Sequence, residues 1–233
     1  MNIAVIKAGG VGSRAQQGIP KQFVEVANKP IVVWTIEKFA NNRSVDEIVV
    51  ICLRDYQDKL RGYLHAFNIT KHVRIIDGGE TNVDSIYHSY VELEKFAQDD
   101  DIIIMQDGVR PMISDEIIER VLDGARENGN SFAAMPINSG IVLVSQDGKI
   151  SQKYLKRNEL YITETDGISY KNLTRIHDKL YDWRLSHVTL LDVMIDAGME
   201  LHMVEGDDKN NLKITTPDDV EVFRAICEGS KND

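Results

Sequence analysis

The sequence is poor in cysteine, in metal-binding spacings and in long apolar runs. Its two cysteines, Cys52 and Cys227, form no CxxC pair. That excludes a disulfide-built scaffold and a cysteine zinc site, and it fits a reducing compartment, so a cytoplasmic location is expected. The 6 histidines are scattered, with no HExxH or comparable spacing. No segment approaches the roughly 20 apolar residues that a bilayer-spanning helix needs, and the first apolar run, residues 3–6, is too short for a signal peptide. Acidic residues outnumber basic ones, 37 to 27, for a net charge of −10, which argues against general nucleic-acid or anionic-membrane binding. One absence is local. Residues 1–24 contain no Asp or Glu, yet Lys7, Arg14 and Lys21 all fall there, and an acid-free, cation-bearing stretch in an acidic chain suits a bound anion.

What is present is an ordinary globular composition, 42% hydrophobic and 27% charged, in a length that one α/β domain over residues 1–233 accommodates. Short apolar runs at residues 3–6, 47–52, 73–76, 102–105 and 132–136 read as strands. Amphipathic stretches at residues 31–40, 56–67, 83–96 and 115–127 read as helices, the last capped by Ser114 and stopped by Gly129. This alternation predicts a doubly wound, mostly parallel sheet covered on both faces, with ligands at the C-terminal rim of its strands. After Pro136 the pattern changes. Residues 141–144 and 150–155 flank Gln146-Asp147-Gly148-Lys149, which reads as a hairpin turn. Because these strands are apolar on both faces, they need a second covering surface. They form either an arm that packs on another subunit or an antiparallel edge of the main sheet, and the pattern does not choose between them. Helices near residues 170–183 and 188–197, a strand at 201–204 and a last helix from Pro217 to about Cys227, capped by Thr216, complete the chain.

The loop Ala8-Gly9-Gly10-Val11-Gly12-Ser13-Arg14 follows the first strand. Three glycines in four positions allow a sharp turn and close approach of backbone to phosphate, and successive N–H groups there form an anion-binding concavity. The loop lacks the GK[ST] ending of a Walker P-loop. It matches the dinucleotide fingerprint only loosely, since Gly18 and Pro20 interrupt any helix after it and Leu53-Arg54 stand where a ribose-binding acid is expected. Arg14 and Lys21 instead suit a reaction that expels pyrophosphate, in which negative charge builds on the transferring and leaving phosphates.

These motifs, together with Ile19-Pro20-Lys21-Gln22-Phe23, Lys29-Pro30-Ile31, Gly78-Gly79-Glu80 with Asp84-Ser85-Ile86, Asp107-Gly108-Val109-Arg110-Pro111, Arg157-Asn158-Glu159-Leu160-Tyr161 and Lys213-Ile214-Thr215-Thr216-Pro217, resemble the cytidylyltransferases that act on methylerythritol phosphate and on D-ribitol 5-phosphate. The ribitol phosphate branch is nearer. The resemblance covers almost the whole chain and implies a Rossmann-like nucleotidyltransferase with a protruding β-hairpin arm at about residues 138–165. It further implies CMP transfer from CTP to a polyol or sugar phosphate, dimerisation through the arm, and a place in teichoic acid, capsule or isoprenoid synthesis. Arg14, Lys21 and Lys213 are then the catalytic cations. Lys7, Ala8, Gly9, Gly10, Gly12, Ser13, Gly79, Glu80, Asn82, Asp84, Ser85 and Asp107 form the nucleotide site, and Asp107 is the Mg²⁺ ligand. Arg110, Arg157, Thr165 and Lys213 form the acceptor side.

The sequence departs from the family pattern in several places. Lys7 replaces a small or apolar residue, Asn82 stands for an arginine, and Asn138-Ser139-Gly140 replaces an Asp-Thr pair. Glu164-Thr165-Asp166-Gly167 replaces Gln-Thr-Pro-Gln, and an Asp usual near Val188-Thr189 is absent. Three functions therefore compete: an active transferase with an unusual acceptor, a nucleotide-binding homologue with a decayed acceptor site, and a dinucleotide-dependent reductase.

Overall fold

The computed structural model describes residues 1–10, 18–145, 155–207 and 212–229. Its centre is β1 (Asn2–Ala8), with Ile3, Ala4, Val5 and Ile6 entirely buried. A strand so uniformly apolar must be covered on both faces, and the parallel neighbours on either side of β1 make that possible. β4 (Glu47–Cys52) pairs with it in parallel on one side and β6 (Ile102–Asp107) on the other, while β5 (Val73–Asp77) extends the sheet beyond β4. Beyond β6 the sheet turns antiparallel. β8 (Tyr161–Ser169) runs against both β6 and β7 (Asn130–Pro136), and β9 (Met203–Glu205) pairs in parallel with β7. The full order is β5-β4-β1-β6-β8-β7-β9, mostly parallel as the alternation predicts. A separate two-stranded ribbon, β2 (Glu25–Val26) and β3 (Lys29–Pro30), turns through Ala27 and Asn28 at positive φ of 50° and 62°.

Each sheet face has its own core. On one side Ala4, Ile6, Val50 and Ile104 pack under α1 (Ile31–Asn41), α2 (Gln57–Ala66) and α4 (Asp115–Asn128). On the other, Ile3, Val5, Ile51 and Met105 pack under α3 (Asn82–Leu93), α5 (Tyr170–Arg175), α6 (His177–Trp183) and α7 (Leu190–Asp196). A smaller cluster, Val26, Ile31, Val109, Ile214 and Phe223, seats α8 (Pro217–Gly229) against the ribbon. The expected caps are present. Ser114 Oγ accepts from the Ile117 amide at 3.4 Å, and Gly129 ends α4 in the left-handed region at φ 82°.

Four expectations need adjustment. The helical stretch at 170–183 is two helices, broken at Ile176. The last helix runs on to Gly229. Residues 141–144 form no regular strand and show a bridge at Val144 alone, while the expected turn at 146–149 and residues 150–154 lie outside the described residues. The strand β8 was not expected, and it carries residues 161–165, the far end of the proposed arm, into the main sheet. β8 also holds a bulge. Phe132 pairs with Asp166 but Ala134 with Thr163, so one extra residue falls in the Glu164–Thr165 stretch of β8. No helix among the described residues is long and apolar enough to cross a membrane.

Candidate nucleotide cleft

The sheet order reverses direction at β1: the chain passes from β1 to β4 and β5 on one side, then returns to place β6 on the other. Such a switch point opens a crevice outside the strand C-termini, the usual ligand site of open α/β sheets. Here it holds a cleft of about 580 Å³. Lys7, Ala8, Gly9, Gly10, Lys21, Gly79, Glu80, Asn82, Ser85, Asp107 and Lys213 all line it, so these expected site residues from five parts of the chain meet in one place. Arg14, Gly12 and Ser13, which belong to the same expected loop, lie outside the described residues.

The floor is backbone. A Cβ added at Gly9 would lie 3.3 Å from the Gly78 Cα, and one added at Gly78 would lie 3.3 Å from the Gly9 Cα. The loops after β1 and β5 therefore pack main chain against main chain, a spacing only glycine allows without displacement. Gln22 secures the first loop. Buried in the short 3-10 turn Lys21–Phe23, its Nε2 donates to Ala8 O at 2.8 Å and Gly10 O at 2.9 Å. Gln22 carries no anion-binding signature of its own, and its one signal in the sequence is its place between a cation and a core Phe.

The second loop is braced by the residues expected to hold nucleotide. Ser85 Oγ accepts from the Gly79 amide at 3.0 Å, and Asp84 Oδ2 accepts from the Glu80 amide at 2.8 Å. Thr81 caps α3 by accepting from the Asp84 amide, and Asn82 Nδ2 donates to Val188 O at 2.8 Å. Asp84 thus faces its own loop and does not line the cleft, whereas Asn82 lines the cleft and bonds across to Val188.

Electrostatically, Asp107 is the hub. Lys7 and Asp107 are direct partners in the β1–β6 register, so both side chains leave the same sheet face. Lys7 Nζ lies 3.2 Å from Asp107 Oδ1, Lys213 Nζ 2.7 Å from Oδ2 and Arg110 Nε 3.4 Å from Oδ2. Burial alone would raise the Asp107 carboxyl, but Lys7, Lys213 and Arg110 together hold it well below the usual carboxylate range. Burial likewise works against the Lys7 ammonium, and Asp107 and Asp166 more than reverse that effect, leaving Lys7 above its ordinary value. Asp166, on β8 and paired in register with Met105, is 8% exposed, and burial pushes its carboxyl up to about 6. Lys7 and Asp166, far apart in sequence and both departures from the family pattern, attract each other in the fold.

The acceptor-side residues separate. Arg110 is buried, with Nη2 donating to Thr163 O at 3.3 Å. Thr165 is 1% exposed and its hydroxyl donates to Gln106 Oε1 at 2.6 Å. Arg157 is exposed on the 3-10 turn Arg157–Glu159, away from the cleft lining. Lys213 is half exposed beside Ile214, whose amide donates to Val109 O at 2.9 Å and ties this segment to the loop after β6. The N-terminus of α8 is capped from within its own chain: Asp219 Oδ2 accepts from the amides of Thr215 and Thr216 at 2.8 and 2.7 Å, and among the described residues Lys213 is the cation that lines the cleft at this corner.

A family model described as IspD, 2-C-methyl-D-erythritol 4-phosphate cytidylyltransferase, matches residues 2–228. A ribitol-5-phosphate cytidylyltransferase of Streptococcus agalactiae serotype Ia is 36% identical, covering 100% of this chain and 98% of its own. One from Vibrio parahaemolyticus is 32% identical with the same coverage. A 2-C-methyl-D-erythritol 4-phosphate cytidylyltransferase of Clostridium novyi is 30% identical, covering 99% and 98%. Among solved structures, the 4-diphosphocytidyl-2C-methyl-D-erythritol synthase of Anaerococcus prevotii superposes with a TM-score of 0.81 at 19% identity over 97% of this chain and 98% of that one, a likeness of fold.

Proposed function

The chain belongs to the IspD cytidylyltransferase family, and from that premise we propose that it transfers CMP from CTP to a polyol phosphate, with D-ribitol 5-phosphate as the acceptor. The observation that carries this reading is the cleft itself: a glycine floor at the topological switch point, with Lys21, Lys213 and the Lys7–Asp107 pair on its walls. In the reaction an acceptor phosphate oxygen bonds to the α-phosphorus of CTP, the bond from that phosphorus to the bridging oxygen breaks, and pyrophosphate leaves with the electron pair. No protein nucleophile is needed. The chain contributes position and positive charge, from Lys21 and Lys213 and, by resemblance, from Arg14. The relatives named for ribitol 5-phosphate, at 32% to 36% identity, support that acceptor over methylerythritol phosphate, whose relative stands at 30%.

Among the described residues no group of three or more His, Cys, Asp or Glu side chains gathers to hold a metal. One hard carboxylate beside phosphates does fit Mg²⁺, which keeps several waters and takes most of its other ligands from a nucleotide. Asp107 would be that carboxylate, its oxygens shared with Lys7, Lys213 and Arg110, and the ion would supply charge neutralisation for the triphosphate. Exposed apolar residues Val142, Val144, Tyr161 and Ile162 support a subunit interface along the proposed arm, residues 138–165, where Arg157 would reach the acceptor phosphate of the partner's site.

Pyrophosphate release, followed with CTP and Mg²⁺ against D-ribitol 5-phosphate, methylerythritol phosphate and hexose phosphates, tests the reading. Turnover with ribitol phosphate is expected. CTP binding without turnover on any acceptor would overturn it in favour of a non-catalytic homologue.

A further inference from the structure

Lys7 reaches the cleft wall with Asp107 beside it and the buried carboxylate of Asp166 behind it. The placement of Lys7 and Asp166 is asymmetric. Lys7 lines the cleft next to Ala8, Gly9 and Gly10, with a side chain 15% exposed. Asp166 is absent from the lining and enclosed behind it, among β6, β7 and β8. The pair adds no net charge, but it places its positive end toward the space above the glycine floor and its negative end in the protein interior.

Charge counting over the cluster makes the same point. Lys7, Arg110 and Lys213 face two carboxylates, Asp107 and Asp166, so one positive charge remains, and of the three cations Lys7 and Lys213 line the cleft. A buried pair of this kind is rarely a net gain in stability against an apolar replacement, because desolvating two ions offsets their attraction. An ammonium held at the cleft wall by a fixed carboxylate does, however, meet an incoming anion without reorganisation.

We infer that Lys7 is a phosphate-binding residue of the nucleotide site, held by Asp107 at 3.2 Å, with the Asp166 carboxylate enclosed behind it. The inference rests on the nucleotidyl-transfer reading for the identity of the anion, a polyphosphate. Lys7 contacts the polyphosphate; Asp166 lies behind it and offsets part of its charge. The structure gives Asp166 its otherwise unexplained place in a strand, where a lone carboxylate would be expelled by desolvation.

The test measures binding of inorganic pyrophosphate and of CTP by calorimetry in excess EDTA, alongside thermal unfolding, for the wild type and three variants: Lys7→Met, Asp166→Asn, and the double variant, which removes both charges and leaves no buried ion alone. Lys7→Met and the double variant are expected to bind pyrophosphate about 10-fold more weakly, the scale of one phosphate contact. Asp166→Asn keeps the ammonium and removes the charge behind it, so its pyrophosphate affinity stays within about twofold of wild type or rises, whatever its melting temperature. If Lys7→Met fails to fold, the double variant carries the test alone. Wild-type pyrophosphate affinity in the double variant, or equal losses in Lys7→Met and Asp166→Asn, would overturn the inference. Pyrophosphate binding that follows the expected pattern in a protein that turns over no acceptor would overturn the proposed reaction and leave Lys7's role intact.

Discussion

Gln22→Glu is the change that most sharply tests whether the glycine loop is preorganised. The side chains have nearly equal volume, so packing around this 2%-exposed residue is kept, but glutamate at neutral pH has no donor for Ala8 O or Gly10 O. Two neutral hydrogen bonds contribute about 1 kcal/mol each, and setting a carboxylate against two carbonyls adds about 1 more, for a total of about 3 kcal/mol. That energy has two outlets. If the loop detaches while the domain stays folded, it appears as a CTP affinity about 100-fold weaker. If the loop and domain unfold together, it appears as a melting temperature lower by roughly 6–12 °C in a protein of this size. Calorimetric CTP titration and a thermal melt on the same preparation close the sum. A variant within about 2 °C of the wild-type melt whose CTP affinity is also unchanged would show that the loop needs no anchor, and the account of the floor would fail.

Lys21→Ala and Arg14→Ala should lower kcat by the roughly 2.7–4 kcal/mol typical of a lost transition-state donor, with melting unchanged; near wild-type turnover in either would remove that residue from the catalytic set. Arg157→Ala should raise the acceptor KM while leaving the CTP KM alone, and an unmoved acceptor KM would separate Arg157 from the acceptor site. Asp219 provides a pH test. Burial alone would raise its carboxyl, but the amides of Thr215 and Thr216 and the Thr215 hydroxyl outweigh that and hold it low. A depressed folded value means stability present above the unfolded value near 3.9 and lost as pH falls through the folded one. Asp219→Ala should therefore cost about 1 kcal/mol at neutral pH and progressively less in acid melts, whereas a gap independent of pH would point to packing instead.

The sequence made β1, β4 and β6 readable because parallel strands buried on both faces leave unbroken apolar runs, and α4 because Ser114 and Gly129 punctuate it. β8 was unreadable for a physical reason. Its segment Tyr161–Ser169 carries Glu164, Thr165 and Asp166, and the partners that make these tolerable, Gln106 for Thr165 and Lys7 for Asp166, come from other strands. The cleft was legible where cations stand in an acid-poor motif, as at Lys7, Lys21 and Lys213, which all line it. It was illegible where a side chain serves the backbone. Asp84 and Ser85 read as nucleotide contacts while Gln22 and Asp219 carry no such signal, and all four bond a neighbouring amide or carbonyl.

Gly9 and Gly78 stand 69 positions apart, yet neither can gain a side chain without displacing the other's main chain. The cradle is therefore inherited as one object. Its closest approach is main chain on main chain, so the walls can differ, with a lysine at position 7 or an asparagine at 82, as long as Gln22, Asp84 and Ser85 keep the loops they hydrogen-bond. Diversification of the acceptor within such a fold has a fixed hinge on which to turn, and that hinge is two glycines in contact.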